Sequence, residues 1–320
     1  MKKRIYFITL ALLSSCGTSF VGKHGQLSVK GTQLVDKNQK HVMLRGMSFG
    51  WHSMWPRFYN KSAVSWLKKD FHANVVRAAL GVEHGEFGNY MKDKKFAKEK
   101  IYAVIDGAIK NNIYVIVDWH SHNINLNEAK EFFDEVSKKY GKYPHVIYEV
   151  FNEPDYETWA EVKAYSEEII KVIRKNDPDN IILIGSPSWD QDVHLPAKDP
   201  ITIDQNLMYT MHFYAATHEK WLRDRTDEAL KSGLPIFVSE SAGMEASGDG
   251  KMNYQSWQEY ISWMEERGIS WVVWSVSDKD ETCSILKKSA HSEGNWKAED
   301  LKESGQKTRE YLRFYNKGKD

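Results

Sequence analysis

The feature that most constrains this 320-residue chain is a repeated alternation of strand-like and helix-like pattern. Short apolar, β-branched runs cover residues 41–49, 74–80, 113–120, 145–152, 181–186, 207–214, 235–240 and 270–277. Segments of helical period lie between most of them, at 62–71, 98–111, 127–140, 158–175, 219–231 and 254–267, with 301–315 as the last helix. Only the connection 187–205 has a weak helical pattern and reads as loop. Strands apolar on both faces need helices on both sides, which is the signature of a parallel sheet. Eight such repeats in a chain of this length predict a (β/α)8 TIM barrel. The competing solution, an open doubly wound sheet, would carry a glycine-rich phosphate loop after its first strand, and none is present. Residues 27–34 alternate weakly and 35–42 read as a turn and return strand. This β-hairpin is expected to close the bottom of the barrel.

The first residues read as a targeting segment. Lys2, Lys3 and Arg4 precede a short apolar stretch, and Leu13-Ser14-Ser15-Cys16-Gly17 is similar to a bacterial lipobox. The expected division is a lipoprotein signal peptide over 1–15, lipidation of Cys16, a tether over 16–26 and a catalytic domain over 27–320. The product would be an exported, membrane-anchored lipoprotein of a bacterial envelope, touching the membrane through that lipid alone. Cys283 is the only other cysteine, so a lipidated Cys16 leaves no internal disulfide. Basic and acidic residues balance at 44 each, which gives no electrostatic basis for binding nucleic acid. A monomer is expected.

In a barrel of this kind the active site forms at the C-terminal ends of the strands. Those ends carry Arg77, Asp118, His120, Asn152, Glu153, His212, Tyr214, Glu240 and Trp274, with His122 and Lys279 just beyond. Two carboxylates on different strands, facing one cleft, suit glycoside hydrolysis by double displacement. Glu240 is assigned as nucleophile, with Arg77, His212 and Tyr214 expected to lower its pKa. Glu153 is assigned as acid/base, with a pKa raised by its ionised neighbour. Asp118 and Glu149 are expected to be interior supports. Asn152 and Glu153 can face one side only if the strand ends in a bulge or twist. The histidines lack a strong ligand spacing, so neither a metal centre nor a cofactor is expected. The twelve Trp residues supply flat apolar rings of the kind that stack on pyranose faces.

The run Ile147-Tyr148-Glu149-Val150-Phe151-Asn152-Glu153-Pro154 resembles the acid/base signature of glycoside hydrolase family 5. Further likeness runs from about Leu27 to about Ser284, through Leu44–Ser48, Asn74–Ala79, Ile113–His120, Trp189–His194, Met211–Ala215, Ile236–Glu240 and Ser270–Lys279. The chain is similar to the family's bacterial endo-β-1,4-glucanases. The resemblance implies Glu153 as acid/base, Glu240 as nucleophile, and Arg77, His120, Asn152, His212, Tyr214 and Trp274 as their surroundings. It implies sugar contacts from Trp189 and Lys279, retention of configuration, no cofactor, and a non-proline cis peptide after Trp274. Endo-β-1,4-mannanase, xylanase and a non-catalytic glycan-binding lipoprotein are the alternatives. Three departures fall in the sugar-contacting walls. A His-Gly pair after the first strand is absent or displaced to His52, Gly81 stands where many relatives have Tyr, and Ser241 follows the nucleophile where many have Trp. Trp51, Trp55 and His122 are expected to supply wall surface there.

Overall fold

The computed structural model describes residues 19–85 and 88–318. The expected signal peptide and Cys16 lie outside the described residues. Eight parallel strands close into a barrel: β3 (Arg45–Phe49), β4 (Val75–Gly81), β5 (Tyr114–His120), β6 (Val146–Glu149), β7 (Ile182–Ile184), β8 (Leu207–Tyr214), β9 (Ile236–Ala242) and β10 (Trp271–Val276), with β10 pairing back onto β3. The fold is a (β/α)8 TIM barrel. Around it run α2 (Lys61–Phe71), α3 (Lys94–Asn111), α4 (Leu126–Tyr140), α5 (Trp159–Arg174), α8 (Lys220–Lys231), α9 (Tyr254–Arg267) and α10 (Glu303–Asn316). The connection after β7 holds two short helices, α6 (Pro187–Asp190) and α7 (His194–Lys198).

Local chemistry sets where these helices begin and end. Asn60, Asp93, Thr158 and Asn253 each accept a backbone N–H from the first turn of the helix they precede. The Asp93 cap explains why α3 starts at Lys94, four residues before its apolar periodicity begins. His72, Asn112 and Gly268 end their helices in left-handed conformation.

The bottom of the barrel differs from expectation in two ways. The hairpin is β1 (Ser28–Lys30) with β2 (Gln33–Val35), turning at Gly31, whose φ is +60°. The turn at 36–40 follows it and leads only to an isolated bridge between Val35 and His41. Residues 19–26 do not form a free tether. Phe20–His24 is a short helix, α1, whose Phe20 and Val21 are buried. Phe20 meets Tyr114 edge-on at 6.0 Å, and the Tyr114 hydroxyl donates to the Gly25 carbonyl at 2.7 Å. Phe20, Val21, Leu27 and Leu34 pack against Val75, Ile116, Ile147, Leu183, Met208, Phe237 and Val272, the inward residues of the lower barrel. Two apolar residues among small polar ones carried too little periodicity to show this in the sequence. The plug closes the lower end, and side chains that need water or substrate are left at the upper end.

Candidate active site

Alternation along a strand sends every second side chain into the barrel. On β4 the inward set is Val75, Arg77 and Ala79, and on β5 it is Tyr114, Ile116, Asp118 and His120. The lower members are apolar, and above them come Arg77, Asp118 and His120. Arg77 is fully buried and is the hub of the upper layer. Its guanidinium donates to Glu149 at 2.7 and 3.2 Å, to Glu240 Oε2 at 2.9 Å and to Asn152 Oδ1 at 2.6 Å, and it lies 3.0 Å from Asp118. Asp118 and Glu149 are therefore interior supports, as expected from their strand parity.

Strict alternation would turn Glu240 away from the axis, because Phe237 and Ser239 already point inward. The register between β8 and β9 slips between Thr210 and His212: Thr210 pairs Phe237, but His212 pairs Glu240. One extra residue on β9 lets Ser239 and Glu240 both face the cleft. On β6 no bulge within the ladder is needed, because the strand stops at Glu149 and Asn152 and Glu153 belong to the loop after it. The chain bends at Val150 and Asn152 to bring both residues to one side, and β9 adds a second irregularity that the sequence did not suggest.

Glu240 accepts from Arg77 Nη1 and, through Oε1, from the Tyr214 hydroxyl at 2.7 Å. Glu153 and Glu240 each offer a carboxylate oxygen within 4.8 Å of the other and of a His212 nitrogen. His212 is not hydrogen-bonded to Glu240. Its Nδ1 faces Glu153 Oε1 at 2.9 Å and its Nε2 faces Ser239 Oγ at 2.9 Å. Ser239 donates its one proton to Glu149 Oε1 at 2.7 Å, because that carboxylate accepts. Ser239 must then accept from His212, so Nε2 carries hydrogen. The contact between Nδ1 and Glu153 consequently holds one proton, as a carboxylic acid beside a neutral ring or as a carboxylate beside an imidazolium.

The pKa pattern reverses the sequence expectation. Burial works to raise Glu153, but the His212 hydrogen bond and charge outweigh it and leave the carboxyl below its usual value. Burial and the neighbouring Glu153 raise Glu240 against Arg77, His212 and Tyr214. The reason is geometric. Arg77 divides its charge among Asp118, Glu149 and Glu240, whereas His212 faces Glu153 directly. Burial works against the His212 cation, yet Asp190, Glu149 and Glu153 hold it well above its ordinary range. The Nδ1–Glu153 contact thus lowers the pKa of the carboxyl and raises that of the ring, each favouring the charged form of the other. His120 is the opposite case: burial and the Arg77 charge keep it neutral, and its Nδ1–H donates to Asp118 at 2.7 Å.

A cleft of about 440 Å³ lies above this layer, lined by Trp51, Trp55, His120, His122, Glu153, Trp189, Tyr214, Glu240, Trp274 and Lys279 among others. The tryptophans divide by role. Trp119, Trp257, Trp271 and Trp296 are core, whereas Trp51, Trp55, Trp189 and Trp274 reach the cleft. Trp274 stacks on His120 at 5.2 Å and 12°, and the Trp274–Ser275 peptide is cis. His122 Nδ1 donates to the Glu153 carbonyl at 3.2 Å. Lys279 is ion-paired to Glu281, a cleft residue the sequence reading missed. His52 does not replace a sugar-contacting histidine. It is buried, accepting the Gly81 N–H at 3.0 Å and donating to the Gly88 carbonyl at 2.8 Å.

Trp189 is displayed at the cost of backbone strain. Ser188, Trp189 and Asp190 have φ of 58°, 54° and 61°, all left-handed. The buried Asp190 carboxyl holds the turn, accepting from Ser186 N–H at 2.6 Å and the Thr210 hydroxyl at 2.5 Å, and it reaches within 3.3 Å of His212 Nε2. Neither Asp190 nor Ser239 was singled out from the sequence. Their signal is only an acid in a loop and a serine beside a glutamate. A cation could be held by Glu153, His212 and Glu240 or by Glu149, Asp190 and His212. In both groups the His212 nitrogens are already engaged by Glu153 and Ser239.

Residues 35–280 match the family described as cellulase (glycosyl hydrolase family 5). Endoglucanase A of Evansella cellulosilytica is 43% identical over 85% of this chain and 56% of its own length. An endoglucanase of Clostridium saccharobutylicum is 40% identical over 88% of this chain and 63% of its own. The chain thus spans a little over half to two thirds of these relatives. The catalytic domain of Thermobifida fusca endoglucanase Cel5A is 33% identical with a TM-score of 0.86, covering 92% of this chain and 99% of that one. A structure from Cytophaga hutchinsonii is 41% identical with a TM-score of 0.91, covering 93% and 97%. With the barrel, the paired carboxylates and these matches together, the chain belongs to the cellulase family, glycosyl hydrolase family 5.

Proposed function

We propose that this protein is a retaining endo-β-1,4-glucanase that cuts internal bonds of cellulose-like or mixed-linkage β-glucan. The observation that carries this reading is the spacing of Glu153 and Glu240, with carboxylate oxygens within 4.8 Å. Retaining glycosidases hold their carboxyls ~5–5.5 Å apart, and inverting ones need more room for a water. Glu240, fixed by Arg77 and Tyr214, attacks the anomeric carbon, and the bond to the leaving oxygen breaks. The proton held between His212 and Glu153 goes to that oxygen. With that proton gone, Glu153 is left as a carboxylate facing the Glu240 ester. Glu153 then takes a proton from water, which attacks the anomeric carbon and frees Glu240. The Asn152 amide nitrogen is buried without a partner and is a donor available to a sugar hydroxyl.

The relatives named above carry the name endoglucanase, and the Thermobifida enzyme has been solved with cellotetraose. Reducing-sugar release from carboxymethylcellulose, barley β-glucan and mannan tests the reading. Activity on the first two is expected. Activity on mannan alone would replace the substrate, and none on any would remove the enzymatic reading. Proton NMR of the first product should show the β-anomer. We also propose that Cys16 carries lipid after export. Labelled fatty acid should enter the wild type and not Cys16→Ala.

A further inference from the structure

Trp221 plays no part in the machinery above, yet its placement is that of a ligand platform. Helices that follow barrel strands begin at the catalytic face, so the first turn of α8 stands on the rim of the cleft. Trp221 lies in that turn and is 42% exposed. Its ring is held, with the Arg225 guanidinium over it at 5.0 Å. Arg225 is itself tied to Asp192 and, at 3.3 Å, to the Gln191 carbonyl. An exposed indole held this firmly has already lost the freedom that binding would cost it.

The rim has a direction. Glu153 protonates the departing sugar, so the leaving-group side is the side on which Glu153 stands without Glu240. A hollow of about 360 Å³ there is lined by Glu153, Trp189, Gln191, His212, Tyr214, His218 and Ala246. His218 links this hollow to Trp221, whose ring it meets at 5.9 Å and 75°. The Tyr214 N–H donates to His218 Nδ1 at 2.9 Å, so Nε2 carries the ring proton. Burial holds this imidazole neutral down to about 4. Trp189 and His218 line this hollow and Trp221 stands against His218, so flat rings and polar edges lead away from the scissile bond.

We propose that Trp221 is a distal platform for the leaving-group part of a β-glucan, stacking on glucosyl units beyond the one next to the scissile bond. It thereby helps select which bond is cut. The proposal rests on the glucanase reading. The test uses two substrates: reducing-end-labelled cellohexaose, which extends along the path, and 4-nitrophenyl β-cellobioside, whose leaving group ends after one ring. For Trp221→Ala the ratio of kcat/KM on hexaose to that on the aryl glycoside should fall about two- to tenfold, the size of one stacking contact. Cleavage should shift toward products with fewer sugars on the leaving-group side, and Trp221→Phe should restore most of both. Circular dichroism melting checks that the fold is intact. A wild-type ratio and wild-type bond pattern in Trp221→Ala would overturn the proposal, as would equal losses on both substrates. An inactive wild type on both would instead overturn the glucanase reading, and this inference with it.

Discussion

Asp190→Ala removes the carboxyl that holds the left-handed turn under Trp189. Ser186 N–H, fully buried, then has no acceptor, at a cost of ~1–3 kcal/mol. The Thr210 hydroxyl loses little, because the Ile184 carbonyl is a second acceptor at 3.2 Å. Three left-handed residues store ~3–6 kcal/mol, at ~1–2 kcal/mol each. Five hydrogen bonds remain on the turn: Trp189 N–H to the Pro154 carbonyl at 2.9 Å, Asp190 N–H to the Ser186 carbonyl at 3.1 Å, Gln191 N–H to the Ser188 carbonyl at 3.3 Å, Asp192 N–H to the Pro187 carbonyl at 3.2 Å, and the Ser188 hydroxyl to Asp192 at 2.8 Å. At ~1 kcal/mol apiece they only about balance the strain, so the Asp190 carboxyl is what tips the turn to its left-handed form. The turn should therefore relax and carry Trp189 out of the cleft. Relaxation returns part of the strain, so the loss of stability is at most about 1–3 kcal/mol, a fall in Tm of roughly 2–4 °C per kcal/mol. The larger effect is on binding: losing one stacking ring should raise KM on cellohexaose about two- to tenfold. Asp190→Asn keeps an oxygen for Ser186 N–H and should keep the turn and the KM. Initial-rate kinetics and thermal melts of both variants test this. If Asp190→Ala melts lower but binds hexaose as the wild type does, the carboxyl is not what holds Trp189 in place.

Other consequences follow from the same geometry. Glu240→Gln should abolish turnover on every glucan, measured as reducing-sugar release. Glu153→Ala should lose most activity and regain part of it with azide, yielding a β-glycosyl azide; an α-azide would contradict retention. Ser239→Ala frees His212 to place its single proton on Nδ1 while Glu153 stays ionised. General-acid catalysis is worth ~10²–10⁴-fold. The loss should therefore be larger on glucan, with its basic leaving oxygen, than on 4-nitrophenyl β-cellobioside, and equal losses would count against the shared-proton scheme. His52 and His218 are held by burial at about 4, below the ordinary histidine value. The unfolded chain therefore binds more protons between about pH 4 and 6.5, and stability should fall as pH drops through that window. Urea unfolding across pH should show the slope lessened by about one proton at pH 5 in His52→Asn, relative to wild type.

The barrel was legible because its evidence is local and repeated. Each strand and helix carries its own apolar period, which locates the strand ends near Arg77, His212 and Glu240 and the loop that holds Glu153. Local pattern was weaker where an element is held from outside. Phe20 and Val21 looked like part of a tether because only the open lower end of the barrel makes a place for them. Ser239 and Asp190 carried no mark in the sequence, since a hydroxyl relay or a strained turn exists only once β6, β7, β8 and β9 stand side by side.

The sequence by itself determined the fold class and pointed to Glu153 and Glu240 as the candidate pair of carboxyls, because side-chain period and residue chemistry are properties of short segments. The tertiary structure alone decided which carboxyl receives which positive partner. Arg77 is shared among three acids, whereas His212 faces Glu153 directly, and one extra residue on β9 brings Ser239 and Glu240 to the same face. Electrostatic coupling depends on distances of a few ångströms between strands far apart in the chain, and no local pattern encodes those distances.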